Sequence, residues 1–435
     1  MPDLAAPVFP PEIEIAAARN RLAATVHLPG SKSITNRALL LAAMATGNST
    51  IRSALSSDDT RSMITALRTL GIDIVVDDAR GIVSVQGLGG RLPVITANLN
   101  IGGAGTAMRF LAGFLTLGYG RFRIDGNARM RQRPIGALLD ALRQLGIDAR
   151  AENNNGCPPI IIDTSSITLS GGEITVDAAI TSQFASALLM PAPLWPSGLK
   201  LTVNGEAAHP FIEMTRELMK QWGADSSQNG ERITVPGGQH YNANQFNVEP
   251  DATAASYFAA AAALAGGQVT IPGIRKDSVQ GDLAFLRILE QMGVRVQWNN
   301  EAVVVLGSGR LAGVDAEMNN MPDVVPTLAA IAPFASSPTR IRKVGFIRHH
   351  ESDRIHALAT ELARLGADVR EFDDGLEILP SPLRPALIET YEDHRIAMAF
   401  AVTGLKLQGL RIKNPGCVAK TYPGFFNDLT RLAAN

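Results

Sequence analysis

Apolar and polar positions along this chain recur with a period of about 70 residues. The sharpest mark is an amphipathic segment closed by glycine: ALRTLG (66–71), ALRQLG (141–146), LMKQWG (218–223), ILEQMG (288–293) and ELARLG (361–366). The chain closes on DLTRLAA (428–434), the same pattern without its glycine. Taking Gly71, Gly146, Gly223, Gly293, Gly366 and Ala433 as markers, the steps are 75, 77, 70, 73 and 67 residues. In the first copy Ile64, Leu67 and Leu70 share one helical face and Thr65, Arg68 and Thr69 the other. That pattern predicts a surface helix with its apolar stripe on a core. Some 36 to 41 residues before each marker stands Thr35, Thr106, Ser182, Thr253, Thr327 or His394, each at the head of an Ala/Leu-rich run. RALLLAAMA (37–45), MRFLAGFLTL (108–117) and TLAAIAPFA (327–335) are apolar on every side, as enclosed helices are. Short β-like runs bounded by glycine and proline lie between and after them: ITVDAA (174–179), LTVNG (201–205), VVVLG (303–307) and RIKNP (411–415).

Six copies of one mixed α/β unit follow, each with two helices. At 435 residues the chain exceeds what one core serves. Three units sharing a core make one lobe, and six make two. The first lobe is expected over 28–247. The second is expected from 1–27 together with 248–435, with EIEIAA (12–17) completing it. No linker or low-complexity tract separates them, so short crossings and a cleft that opens and closes are expected, with the active site in the cleft.

Composition narrows the class. Apolar residues make up 46% and charged residues 19%, the balance of a folded globular protein. A formal charge of −1 gives no bias towards nucleic acid or anionic membranes. Cys157 and Cys417 lie 260 residues apart and suggest no disulfide framework, so a cytoplasmic setting is expected. The first twenty residues carry prolines and acids where a signal peptide has a basic and then an apolar run. ATAASYFAAAAALAGG (252–267) is too short to span a bilayer and reads as a buried helix.

The candidate chemistry clusters at the starts of the first helices. In LPGSKSITNRALLL (28–41) a strand ends at Pro29-Gly30 and a helix follows; Ser31, Ser33, Thr35 and Asn36 supply caps and hydroxyls, Lys32 and Arg37 cations. Free N–H groups at such a start make an anion site, although the P-loop spacing is absent. GGAGTAMRF (102–110) repeats the idea, with Arg109 one turn into its helix and Gly102, Gly103 and Gly105 permitting close approach. RFRIDGNARMRQRPIG (121–136) holds Arg121, Arg123, Arg129, Arg131 and Arg133. Arginine forks suit carboxylate and phosphate; most of the five read as solvated, and RQRPIG reads as facing a site. Thr181, Ser182 and Gln183 precede a third buried helix, and capping uses only one of three. In the second lobe Asp323 stands at a helix start, as an N-cap or an acid. FIRHHESDRIHAL (346–358) gathers Arg348, His349, His350, Glu351, Asp353 and Arg354, where Glu351 and Arg354 have i,i+3 spacing. YEDHRIAMAF (391–400) offers His394 and Arg395, and CVAKTYPGF (417–425) offers Lys420. Neither the histidines nor the cysteines have spaced partners for a metal. The sum is a site for a multiply anionic ligand pair with a proton donor and acceptor.

Jointly and in this order, PGSKS-x-x-NRALLLAA, AGTAMR, RM-x-x-RPIG, TSQF, ESDR, DHR-x-AM and KT-x-P-x-F resemble the 5-enolpyruvylshikimate-3-phosphate synthases of the enolpyruvyl transferase family. The resemblance covers essentially the whole chain. It implies an α/β fold of two lobes, each of three βαβαββ units around buried helices, the inside-out α/β barrel of that family. It implies transfer of the enolpyruvyl group of phosphoenolpyruvate to the 5-hydroxyl of shikimate 3-phosphate, with release of phosphate, by a cytoplasmic monomer of aromatic amino-acid biosynthesis. No cofactor, nucleic acid or membrane is implied. The implied phosphoenolpyruvate set is Lys32, Gly105, Arg133, Gln183, Arg354, Arg395 and Lys420. The implied shikimate 3-phosphate set is Lys32, Ser33, Arg37, Thr181, Ser182, Gln183, Asp323 and His350. Asp323 resembles the family's proton acceptor; Glu351 and Lys32 are the remaining proton carriers, with Glu351 as donor to C3.

Departures from the family pattern fall mainly on the acceptor side. His350 stands where the family usually has Lys, Phe346 where it often has Asn, Ala208 and Phe211 where Ser and Tyr are common, Gly103 for Asn and Phe110 for Pro. They leave open a paralogous transferase acting on a related or unphosphorylated cyclic alcohol. The sister enzyme that acts on UDP-N-acetylglucosamine carries a reactive cysteine in the loop equivalent to 129–134, and none is present here. A non-catalytic anion-binding protein would not require Lys32, Asp323 and Glu351.

Overall fold

The repeated glycine ends a helix in the same way five times. Gly71, Gly146, Gly223, Gly293 and Gly366 have φ between 83° and 98°. In each case the glycine N–H returns to the carbonyl three residues back and the next N–H to the carbonyl five back, as Gly71 N to Arg68 O (3.0 Å) and Ile72 N to Leu67 O (3.1 Å) do. This is the Schellman closure, which needs a left-handed residue that only glycine adopts without a steric penalty. The residue after it is buried each time: Ile72, Ile147, Ala224, Val294 and Ala367. The closure therefore stops the amphipathic helix and turns the chain inward to the next strand.

These observations come from a computed structural model that describes residues 9–205, 209–299 and 301–434. The chain divides into two units, one of Gly30–Glu249 and one of the segments on either side, up to Pro29 and from Pro250. The crossings fall two residues later than 28 and 248. Ser31 N donates to Glu249 O (2.8 Å) and Asp251 N to Pro29 O (2.9 Å).

The 30–249 unit holds three four-stranded sheets of one design. In the third, strand Gly172–Asp177 runs parallel to Leu199–Asn204, which pairs antiparallel with Arg232–Val235, which pairs antiparallel with Ser227–Asn229. In the first, the parallel strand is supplied from the far end of the unit: Gln245–Asn247 pairs with Thr50–Arg52. Helices Lys32–Met44, Gly105–Phe114 and Gln183–Leu189 are buried almost throughout. The amphipathic helices Asp58–Thr69, Gly136–Gln144 and Pro210–Gln221 follow them.

The second unit repeats the design around helices Ala252–Ala265, Val325–Ile331 and His394–Gly404. Its sheets borrow from the N-terminal segment. Strand Leu22–Thr25 pairs parallel with Gly267–Thr270, and Glu12–Glu14 pairs antiparallel with Arg411–Lys413. The last sheet has three strands where the others have four. Thr327 lies inside its helix, which starts at Val325 after a 3-10 turn over Pro322–Val324. Among the described residues no helix is long and apolar enough to cross a membrane.

Candidate active site

In the 30–249 unit the chemistry starts at the N-terminus of helix Lys32–Met44. Lys32 Nζ lies 3.2 Å from Asp59 Oδ2, with both side chains largely buried. Asp59 is delivered by the first turn of the next helix, which Ser57 and Thr60 close with a capping box. Arg37 turns inward. It donates to Thr215 Oγ1 (2.7 Å), Ser33 O (3.0 Å), Phe211 O (3.2 Å) and Ser186 Oγ (3.3 Å), and its guanidinium lies 4.9 Å above the Phe110 ring. Four of its five N–H donors are thus spent on the protein, and burial lowers its pKa to about 9. Phe110 supplies the aromatic face on which Arg37 rests. Phe211 contributes its backbone, and Ala208 lies outside the described residues.

Gly105, Arg133 and Gln183 come together as a second group. A Cβ on Gly105 would sit 2.5 Å from Arg133 Nη1 and 2.9 Å from Arg109 Nη1, so glycine is what lets both guanidiniums lie on the helix start. Arg109 Nη1 donates to Gln183 Oε1 (2.9 Å), and Gln183 Nε2 to Thr106 Oγ1 (3.4 Å). Thr181 Oγ1 accepts from Gln183 N (3.3 Å), and Ser182 is buried beside it. Within the arginine loop, Asp125 takes both Arg131 (2.9 and 2.8 Å) and Arg123 (3.1 Å). Arg131 and Arg123 therefore shape the loop that presents Arg133.

The other unit gathers its candidates into one network. Asp323 accepts from Arg354 Nη1 (3.0 Å) through Oδ1 and from Arg395 Nη2 (2.6 Å) through Oδ2. Arg354 Nη2 donates to Glu351 Oε2 (2.9 Å), and Glu351 Oε1 lies 3.7 Å from Lys420 Nζ. Arg354 Nη1 also approaches His350 Nδ1 at 3.1 Å. A guanidinium only donates, so Nδ1 is the acceptor and carries no proton. Phe346 meets the His350 ring edge-on, centroids 5.9 Å apart. Burial works to lower the pKa of Arg354, but the carboxylates of Asp393, Glu351 and Asp323 outweigh it and raise it. Arg395 likewise is raised well above its ordinary value, burial being overcome first of all by Asp323.

The profile of the EPSP synthase (3-phosphoshikimate 1-carboxyvinyltransferase) family matches residues 16–429. The chain belongs to the EPSP synthase family. It is 46% identical over 416 residues to the 3-phosphoshikimate 1-carboxyvinyltransferase of Trichormus variabilis, covering 95% of this chain and 97% of that one. It is 43% identical over 420 residues to that of Shewanella amazonensis, with the same coverage. The EPSP synthase structure of Acinetobacter baumannii superposes with a TM-score of 0.81 at 26% identity, covering 97% of this chain and 98% of that one. The α/β fold read from the repeats is thus that of the EPSP synthase family.

Several residues of this site were not apparent from the sequence. Asp393, fully buried, caps helix His394–Gly404 through Arg395 N (3.0 Å) and accepts from Ser352 Oγ (3.0 Å) and Arg354 Nε (2.8 Å). The signal was a cap-type aspartate directly before His394. Asp59 drew no notice in the sequence, and Arg109 was not assigned to a ligand set. Asp282 is also buried: Oδ2 accepts from Thr253 Oγ1, and burial, then Asp323, push its pKa up to about 7. His394 is buried with Nδ1 3.8 Å from Asp393 Oδ1. His349 is exposed, and the described residues include no cluster of three or more His, Cys, Asp or Glu fit to hold a metal ion.

Proposed function

We propose that the two constellations serve one reaction, the one that family membership assigns to this chain: transfer of the enolpyruvyl group of phosphoenolpyruvate to the 5-hydroxyl of shikimate 3-phosphate, with release of phosphate. The observation that carries the assignment of roles is Asp323, gripped by Arg354 and Arg395 beside a glutamate that Arg354 and Lys420 share. Neighbouring cations keep a carboxylate ionised, the state that can accept a proton, and they also attract anionic substrates to it. Asp323 takes the 5-hydroxyl proton as that oxygen attacks C2 of phosphoenolpyruvate. Glu351 delivers a proton to C3, giving a tetrahedral intermediate that carries methyl, carboxylate, phosphate and the new ether on C2. The Glu351 carboxylate then takes a proton back from the methyl group as phosphate leaves C2 with the proton held by Asp323, which restores the double bond and both acids. A positioned acid or base contributes roughly 10²–10⁴-fold to such steps.

Lys32, Gly105, Arg133, Gln183, Arg354, Arg395 and Lys420 are assigned to phosphoenolpyruvate, where fixed cations and a helix start stabilise negative charge. Lys32, Ser33, Arg37, Thr181, Ser182, Gln183, Asp323 and His350 are assigned to shikimate 3-phosphate. Arg37 acts there mainly by bracing, with one Nη1 hydrogen left for a ligand. One chain supplies both constellations, so we read the enzyme as a monomer acting in the cytoplasm. A phosphate-release assay tests the whole: release should require phosphoenolpyruvate and shikimate 3-phosphate together. Release with unphosphorylated shikimate in preference to its phosphate would overturn the acceptor assignment.

A further inference from the structure

Two neighbouring residues before helix His394–Gly404 have left-handed backbone, Tyr391 (φ 54°) and Glu392 (φ 55°). Neither is glycine, and side chains are disfavoured there. Such a turn persists only where its surroundings over-determine it. It leads directly into Asp393 and Arg395, and Asp393 N closes back on Thr390 O (2.7 Å).

The restraint comes from one buried carboxylate. Glu361 is fully enclosed. Its Oε1 accepts from Tyr391 OH (2.8 Å) and its Oε2 from Glu389 N (3.1 Å). Arg364 Nε, 3.1 Å away, supplies a counter-charge. Glu361 belongs to helix Arg354–Arg364, and seven residues place it on the same face as Arg354. Arg354 grips the end of the turn through Asp393, and Glu361 grips its beginning through Glu389 and Tyr391. The turn is therefore fastened at both ends to one helix, which fixes where Arg395 emerges towards Asp323.

We propose that Glu361 is a positioning residue for phosphoenolpyruvate: through Tyr391 it holds the left-handed turn that sets Arg395 and Asp393. This rests on the assignment of Arg395 to that substrate. In full-length Tyr391→Phe the KM for phosphoenolpyruvate should rise roughly threefold to tenfold, part of the effect of losing a hydrogen bond to a charged group. The KM for shikimate 3-phosphate should rise less, and kcat should fall by no more than a comparable factor, because Arg395 also grips Asp323. Adding Glu392→Gly should bring the phosphoenolpyruvate KM back towards the wild-type value, because glycine relieves one of the two left-handed positions and the turn depends less on the tyrosine. Should Tyr391→Phe fold poorly, the same double variant should fold and show a KM close to the wild-type value. A merely structural bond would lower Tm without separating the two KM values. Unchanged KM values in Tyr391→Phe, an equal rise in both, or no recovery with Glu392→Gly would each overturn the proposal. Failure of the functional reading shows itself separately, as wild-type enzyme that releases no phosphate from the substrate pair, and takes this inference with it.

Discussion

Asp323 and Arg354 stand 31 residues apart and meet at 3.0 Å between Oδ1 and Nη1, with the arginine side chain 1% exposed. A buried guanidinium needs acceptors for all five N–H groups. Asp323, His350, Glu351 and Asp393 supply them. The arginine thereby fixes Asp323 and Glu351, the proposed proton acceptor and donor, relative to each other.

Replacing those acids should separate chemistry from binding. Asp323→Asn and Glu351→Gln should each lower kcat by roughly 10²–10⁴-fold. Affinity for shikimate 3-phosphate, measured by calorimetry, should change far less. Near-normal kcat in both variants would remove the acids from the mechanism.

Asp59 should matter to stability first. Lys32 and Asp59 pair at 3.2 Å with side chains 11% and 4% exposed, and breaking a buried pair costs roughly 3–5 kcal/mol. Asp59→Asn should therefore lower Tm in the free enzyme. Anionic ligands supply a replacement counter-charge, so saturating shikimate 3-phosphate and phosphoenolpyruvate should narrow the deficit. A deficit that ligands leave unchanged would separate Lys32 from the anions.

Asp282 predicts a pH dependence of stability. Its pKa is raised in the folded state to about 7, with burial the main cause and Asp323 next. An unfolded aspartate titrates near 4. Between about pH 4 and 7 the folded state thus keeps a proton that the unfolded state loses, so stability falls as pH rises through that window. Asp282→Asn removes this loss and can still accept from Thr253. Its Tm should exceed the wild-type value at pH 8 and fall back towards it, or below it, near pH 4. Thermal denaturation across that range measures the crossing, and parallel curves would refute it.

His350 tests the acceptor side. Lysine has donors only, so His350→Lys gives up the bond from Arg354 Nη1 while adding a cation. Shikimate 3-phosphate should bind more tightly, a charged hydrogen bond being worth about 1.5–3 kcal/mol, and the phosphoenolpyruvate KM should rise. His350→Gln keeps an acceptor and should spare the phosphoenolpyruvate KM. Weaker binding of shikimate 3-phosphate to His350→Lys would point to an unphosphorylated acceptor.

Much of the architecture was legible before any tertiary contact was known. Amphipathic periods, Schellman glycines such as Gly71 and small helix starts such as Thr106 are written within one or two turns of chain, because helix hydrogen bonds and caps reach only a few residues. Their repetition indicated six mixed α/β units, and the family resemblance supplied the βαβαββ order within each. The motifs likewise brought Lys32, Gly105, Asp323, Glu351 and Arg395 into view. The inward use of Arg37, the burial of Asp282 and the part played by Asp393 were decided by the tertiary structure. Arg37 meets Thr215 across 178 positions, and Asp393 meets Arg354 across 39. A local pattern identifies an arginine or an aspartate, but its role depends on which distant carboxylate or hydroxyl the packing brings within about 3 Å. The same holds for charge: nothing local to Asp282 marks it out, and burial, then Asp323, push its pKa up to about 7.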